Sequence, residues 1–218
     1  MKRALRTAWI LAGLAAFVLA GCLGSAPPVE QYLRVEPAAS PCGKTPAVPG
    51  RAEHGVVAFK ELRALDNLDR PAVLFADGSV LAPSLRWYWE GTPGSVMTMA
   101  VTQAVACLPG VTGVAAYRPR VGHDALMSGE ITAFNVQKQG GLRFVAAVRM
   151  EVWTRDQMRL VASGEFRTEV PMPGETAADI AAAASTACGD IGRDVAAWMS
   201  AENGGVLGQV RAMEEKKP

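Results

Sequence analysis

The chain has 218 residues, 22 of them basic and 21 acidic, for a formal net charge of +1. Half of the residues are hydrophobic, which excludes a wholly disordered chain, and the near-neutral charge excludes a face built to hold nucleic acid. The single continuous apolar run lies at the extreme N-terminus, which excludes a multispan membrane protein, and the two histidines, His54 and His123, are too few for a His-rich metal centre.

Met1 to Arg6 is short and basic, with Lys2, Arg3 and Arg6, and Thr7 to Ala20 is apolar. The apolar run, at ~13 residues, is short for a bilayer span. With small residues at a cut site it reads as a secretory signal over residues 1–21. Once it is removed, the remainder carries 19 basic and 21 acidic residues, a charge of −2. Leu19-Ala20-Gly21-Cys22 resembles the lipobox of bacterial lipoproteins. Cleavage would fall between Gly21 and Cys22, and the Cys22 thiol would carry diacylglycerol and an N-acyl chain. Several acyl chains on one residue anchor stably, because each buried CH₂ contributes roughly 0.8 kcal/mol. Leu23, rather than an aspartate, follows the cysteine, which resembles an outer-membrane sorting signal.

Residues 22–30 form a short Pro-containing tether, and residues 31–201 are expected to fold as one domain. Gln31 to Val35 reads as a first strand, followed by a Pro-rich loop to His54. Val56 to Lys60 and Ala72 to Ala76 read as strands, with Asp77-Gly78 turning into Val80-Leu81. Thr92-Pro93 predicts a capped helix that stops at Pro109-Gly110. Leu126 to Val136, Leu142 to Trp153 and Met158 to Val170 follow as three strands. In the last two, apolar and charged residues alternate, the signature of a half-buried strand. The tight Arg155-Asp156-Gln157 connection makes them antiparallel neighbours. Thr176 and Asp179 have the spacing of a capping box. Ile180, Ala184, Ala187, Ile191, Val195 and Trp198 then trace one apolar stripe along a helix to about Ser200, with Gly189 and Gly192 inside it. Residues 202–218 are expected to be a flexible charged tail. This order predicts an α+β fold: an antiparallel-rich β-sheet with two α-helices packed on one face.

Four local features occur in order behind the lipobox. They are Tyr32-Leu33-Arg34-Val35, Leu68-Asp69-Arg70-Pro71, Leu85-Arg86-Trp87, and a β-meander closed by an Ala-rich helix ending in Ala197-Trp198. Together they resemble the ABC-type transport auxiliary lipoprotein family, the PqiC-like lipoproteins associated with MCE systems. The resemblance covers about Gln31 to Met199. It implies a non-enzymatic lipoprotein on the periplasmic side of the outer membrane. Its partners would be an MCE-domain periplasmic protein and that protein's inner-membrane ABC transporter. A homo-oligomer is a further candidate partner. No cofactor beyond the covalent lipid is expected, and no G-x-x-x-x-G-K-[ST] is present, so energy would come from a partner.

Candidate contact residues are Arg70, Tyr88 and Trp89. Asp69-Arg70-Pro71 reads first as a strand lead-in, since proline holds the preceding residues extended. In Trp87-Tyr88-Trp89, Trp87 is assigned to the core and Tyr88 or Trp89 to an interface, where aromatics concentrate. Val145, Ala147, Trp153 and Val161 lie on the nominally polar faces of their strands, where they would form an apolar patch or be covered. Besides Cys22, three cysteines remain, and Cys107 with Cys188 is the easiest pairing if both helices cover one face; buried free thiols are the alternative. No C-x-x-C suggests zinc. His123-Asp124 resembles a general-base pair but lacks a nucleophile motif, so no catalytic residue is assigned. The competing function classes are another envelope scaffold, such as a cell-wall synthase activator or outer-membrane assembly factor, and a lipid-anchored hydrolase that would depend on His123.

Overall fold

A computed structural model describes residues 30–37, 55–156, 159–200 and 205–215. Among these residues nine strands form one sheet: β1 (Gln31–Leu33), β2 (Gly55–Phe59), β3 (Arg63–Ala64), β4 (Ala72–Asp77), β5 (Val80–Trp89), β6 (Val111–Ala116), β7 (Ala125–Gln137), β8 (Arg143–Thr154) and β9 (Leu160–Pro171). Among the described residues three helices join them: α1 (Pro93–Ala106), α2 (Ala177–Met199) and α3 (Val206–Glu215). The α+β expectation holds, with long antiparallel ladders from β7 to β9 and shorter parallel pairs beside them.

The thirteen-residue strand β7 organises the sheet. One edge pairs with β8 along its whole length. The other edge takes β2, β3 and β4 in succession, all parallel to it. The sheet therefore forks, with β6 outside β2 and with β5 and then β1 outside β4. Pairing of β1 stops at Leu33, although Val35 is still buried.

Both long helices begin as their sequences predict. Thr92 is the N-cap of α1, accepting from the Ser95 N–H, with Pro93 following it. At α2 the Thr176–Asp179 capping box is complete in both directions. The stripe of Ile180, Ala184, Ala187, Ile191 and Val195 is fully buried. Trp198 at its end is half-buried, its ring 5.4 Å from that of Phe166. Phe144, Ala146, Val148, Met150 and Val152 form the β8 side of this core. Burying the larger of these side chains, Phe144, Val148, Met150 and Val152, stabilises by roughly 1.5–3 kcal/mol each.

The structure departs from the sequence reading at the C-terminal segment and at two strands, the two-residue β3 and β6. Gly205 is followed by α3 rather than a solvated tail, and Val206, Leu207 and Val210 of that helix join the core. Their apolar spacing is short and ends in charge, so local pattern alone did not separate it from a tail. Strand β6, Val-Thr-Gly-Val-Ala-Ala, was also missed. Its residues lack the clean alternation of β8, and its pairing with β2 is a tertiary event. Among the described residues no helix is long and apolar enough to cross a membrane.

Candidate functional site

The aromatic run at the end of β5 lies where β1 docks in parallel, with Gln31, Tyr32 and Leu33 opposite Trp87, Tyr88 and Trp89. Alternation then distributes the three rings. Trp89 points to the helices and is only 1% exposed. It meets Phe134 edge-on at 5.2 Å and Phe144 at 5.8 Å. The assignment of Trp89 to a partner contact is therefore corrected: the residue is a centre of the core. Trp87 is half-buried, 5.9 Å from Phe75, and its Nε1 donates to Gln31 Oε1 at 3.1 Å. Tyr88 is half-buried on the opposite face, 5.8 Å from the well-exposed Tyr32. Beyond this pair, Arg34 grips Glu90 through two hydrogen bonds of 2.6 and 2.9 Å. The Arg34 guanidinium holds the Glu90 carboxyl below the usual carboxylate range, mainly by hydrogen bonding.

Arg70 is exposed, and no described carboxylate pairs with it. The neighbouring Leu68 is buried, and Pro71 O accepts from the Trp89 N–H at 2.6 Å. The segment thus leads into β4 and leaves the Arg70 side chain in solvent.

The expected Cys107–Cys188 pairing is not formed. Cys188 is a free, buried thiol, pushed up to about 12 by desolvation. Cys107, the C-cap of α1, is disulfide-bonded and not to Cys188. Helix packing put Cys188 into the core under α2, and sequence spacing does not report that depth. Gly21, Cys22 and His54 also lie outside the described residues.

His123 is 9% exposed, with Nδ1 3.0 Å from Val121 O and its ring against Tyr117. The adjacent Asp124 is used structurally: its carboxylate accepts from the Val56 N–H at 2.8 Å. The two side chains are thus separately engaged, which does not make a base and its orienter. The outer-face patch is also not an exposed surface, since Val145 is 3% and Ala147 7% exposed. Their cross-strand partners Glu169 and Arg167 are ion-paired at 2.8 Å, and Arg143 joins Glu169 at 2.7 Å.

Two hollows stand out. One, of about 590 Å³, runs between α1 and β6 and is lined by Phe59, Met99, Val114 and Ala116, with Thr98 and Thr102 on the helix side. Thr102 donates back to Thr98 O at 2.7 Å, so its hydroxyl makes little demand on an occupant. This groove was invisible in the sequence because β6 was. The second, of about 380 Å³, lies among Lys60, Arg63, Glu130, Arg149, Glu151 and Trp153. Its charges are partly spent internally: Arg149 pairs with Glu130 at 2.8 Å and the Trp153 Nε1 donates to Glu151 at 3.2 Å. No group of metal-ligating side chains occurs among the described residues.

The family model for the ABC-type transport auxiliary lipoprotein component matches residues 40–196, ending in the last turns of α2. The chain belongs to this family. Its members are auxiliary transport lipoproteins, and that matched span contains β2 to β9 together with α1 and most of α2. A crystal structure of a Xanthomonas campestris protein has a TM-score of 0.67 at 15% identity, covering 85% of this chain and 100% of its own. A second, uncharacterised protein has a TM-score of 0.61 at 12% identity, covering 79% of this chain and 99% of its own. At these identities the family's fold is what the two structures share with this chain. Among curated proteins none matches the chain.

Proposed function

We propose that this chain is a non-enzymatic, lipid-anchored periplasmic component of an MCE-type intermembrane lipid transport system. Cys22 would carry the lipid and hold the domain at the inner leaflet of the outer membrane. The observation that carries the reading is the family match over residues 40–196, standing behind a Leu-Ala-Gly-Cys sequence. The tether adds to it. Nine residues, Cys22 to Glu30, separate the anchor from β1, so the domain sits close to the bilayer. With no ATP-binding loop of its own, the protein would act by docking. The MCE-domain protein would be its neighbour, and the membrane ABC transporter the energy source.

Crosslinking in the native envelope, followed by mass spectrometry of the adducts, tests the reading. An MCE-domain protein among the adducts is expected, and a Cys22→Ser chain should lose both the membrane fraction and that adduct. A cell-wall synthase or a barrel-assembly protein in place of the MCE protein would overturn it.

A further inference from the structure

The β4–β5 hairpin carries the largest apolar exposure of the described residues. Leu85 is 74% exposed, Val80 65% and Leu81 37%, and Tyr32, opposite Tyr88 at the base of the hairpin, is 67% exposed. The outer edge of β5 is paired by β1 only from Trp87 to Trp89. Exposed apolar side chains along a free strand edge mark an interaction surface.

We infer that this hairpin is a membrane-seating element, whose Val80, Leu81 and Leu85 rest in the headgroup region of the bilayer that carries the anchor. The inference rests on the reading of Cys22 as the lipidated residue. Strand direction places the hairpin. Because β1 runs parallel to β5, the chain upstream of Gln31 starts from the side toward which β5 reaches back to Val80. Seven residues, Val80 to Arg86, project past Trp87 on that side. With the register shift, Val80 to Tyr88 stand opposite only Asp77 to Ala72, so this arm extends about 17 Å at ~3.3 Å per residue. The nine tether residues span at most ~30 Å. The tether is thus long enough for the anchor to reach the plane of the hairpin tip.

The backbone of this edge is unsuited to a neighbouring strand. Pro83 has no N–H. The N–H groups of Arg86 and Trp87 turn to Ser84 Oγ at 3.1 and 2.9 Å, and the β4–β5 register shifts there. Such a bulge discourages strand addition, by a partner or by a second copy. A lipid interface asks only for apolar side chains and suitable heads. Arg86 supplies one, exposed, 5.5 Å from the Trp87 ring and ion-paired to no described carboxylate, and so open to a lipid phosphate. Asp77, at the turn, is the hairpin's one acid.

The test uses the full chain purified from its envelope and placed in phosphatidylethanolamine–phosphatidylglycerol vesicles. An environment-sensitive fluorophore is attached at Leu85→Cys. The control is Arg118→Cys, in the exposed loop before β7, at the end of the sheet away from the hairpin. Cys188 is buried and Cys107 is bonded, so neither competes for label. Headgroup nitroxide lipids should quench the Leu85 label several-fold more than the Arg118 label. In the Leu81→Ser variant with Val80→Ser added, that difference should shrink toward none. Equal quenching at both sites of a protein that floats with the vesicles, and whose mass shows an acylated Cys22, overturns the hairpin contact and leaves the anchor standing. A chain that neither floats nor carries acyl mass removes the anchor, and the inference with it. A blue shift at Leu85 without lipid quenching identifies a protein occupant and also overturns the inference.

Discussion

Gly192 of α2 lies against the backbone of α1: a methyl group at that position would stand 3.0 Å from Ala100 O and 3.4 Å from the Ala104 methyl. The glycine sets how closely the two helices approach, in a pair that together covers the sheet. In an open helix, glycine to alanine would gain about 1 kcal/mol of helix propensity. Here overpacking, at about 1–3 kcal/mol, opposes that gain. Gly192→Ala is therefore expected to destabilise by about 1 kcal/mol, and Gly192→Val by more. Urea unfolding of both variants checks this, and a stabilised Gly192→Ala would contradict the close approach.

The correction at Trp89 separates it from its neighbour. Trp89→Ala should cost about 3–5 kcal/mol, because it leaves a cavity between Phe134 and Phe144. Tyr88→Ala, half-buried against an exposed Tyr32, should cost much less. Thermal unfolding of the two variants side by side gives the comparison. Similar losses would mean that Tyr88, too, is a core residue.

Cys188 provides a pH and labelling signature. Its folded thiol is pushed up to about 12 by burial, whereas an unfolded thiol ionises near ~8.5. Between those values the unfolded state releases a proton that the folded state keeps. Stability is thus fully present below the unfolded value and falls as pH rises, by about 1.4 kcal/mol per pH unit. Cys188→Ala should flatten that alkaline slope. Maleimide at neutral pH should leave Cys188 unlabelled until the chain unfolds, and label Cys107 only after reduction.

Arg34 and Glu90 give the acid-side counterpart. The folded Glu90 carboxyl is depressed, chiefly by the hydrogen bond from Arg34. Its contribution is present above the unfolded carboxyl value, near ~4.3, and is lost as pH falls through the folded one. Arg34→Ala should therefore differ from the parent most near neutral pH and converge with it in acid. Because the pair is exposed, the difference should be small and should shrink with salt.

Much of this protein was legible as sequence because the signals were local. Period two in β8 and β9, the Thr92-Pro93 start of α1, and the Thr176–Asp179 box of α2 are decided within a few residues of chain, by sterics and by unpaired backbone N–H groups. The order of those elements, with the short motifs between them, was enough for the α+β class and the family. What the sequence did not decide depends on partners far away in the chain. Adjacent aromatics have identical local credentials, so only the docking of β1 and the core beneath β5 separates Trp89 from Tyr88. Cys188 is an ordinary helical residue until α2 packs, and burial then makes it an inert thiol instead of a disulfide partner. The forked sheet, the α1–β6 groove and the projecting hairpin arise from pairing and depth, which are properties of the assembled chain. Local residue pattern does not contain them.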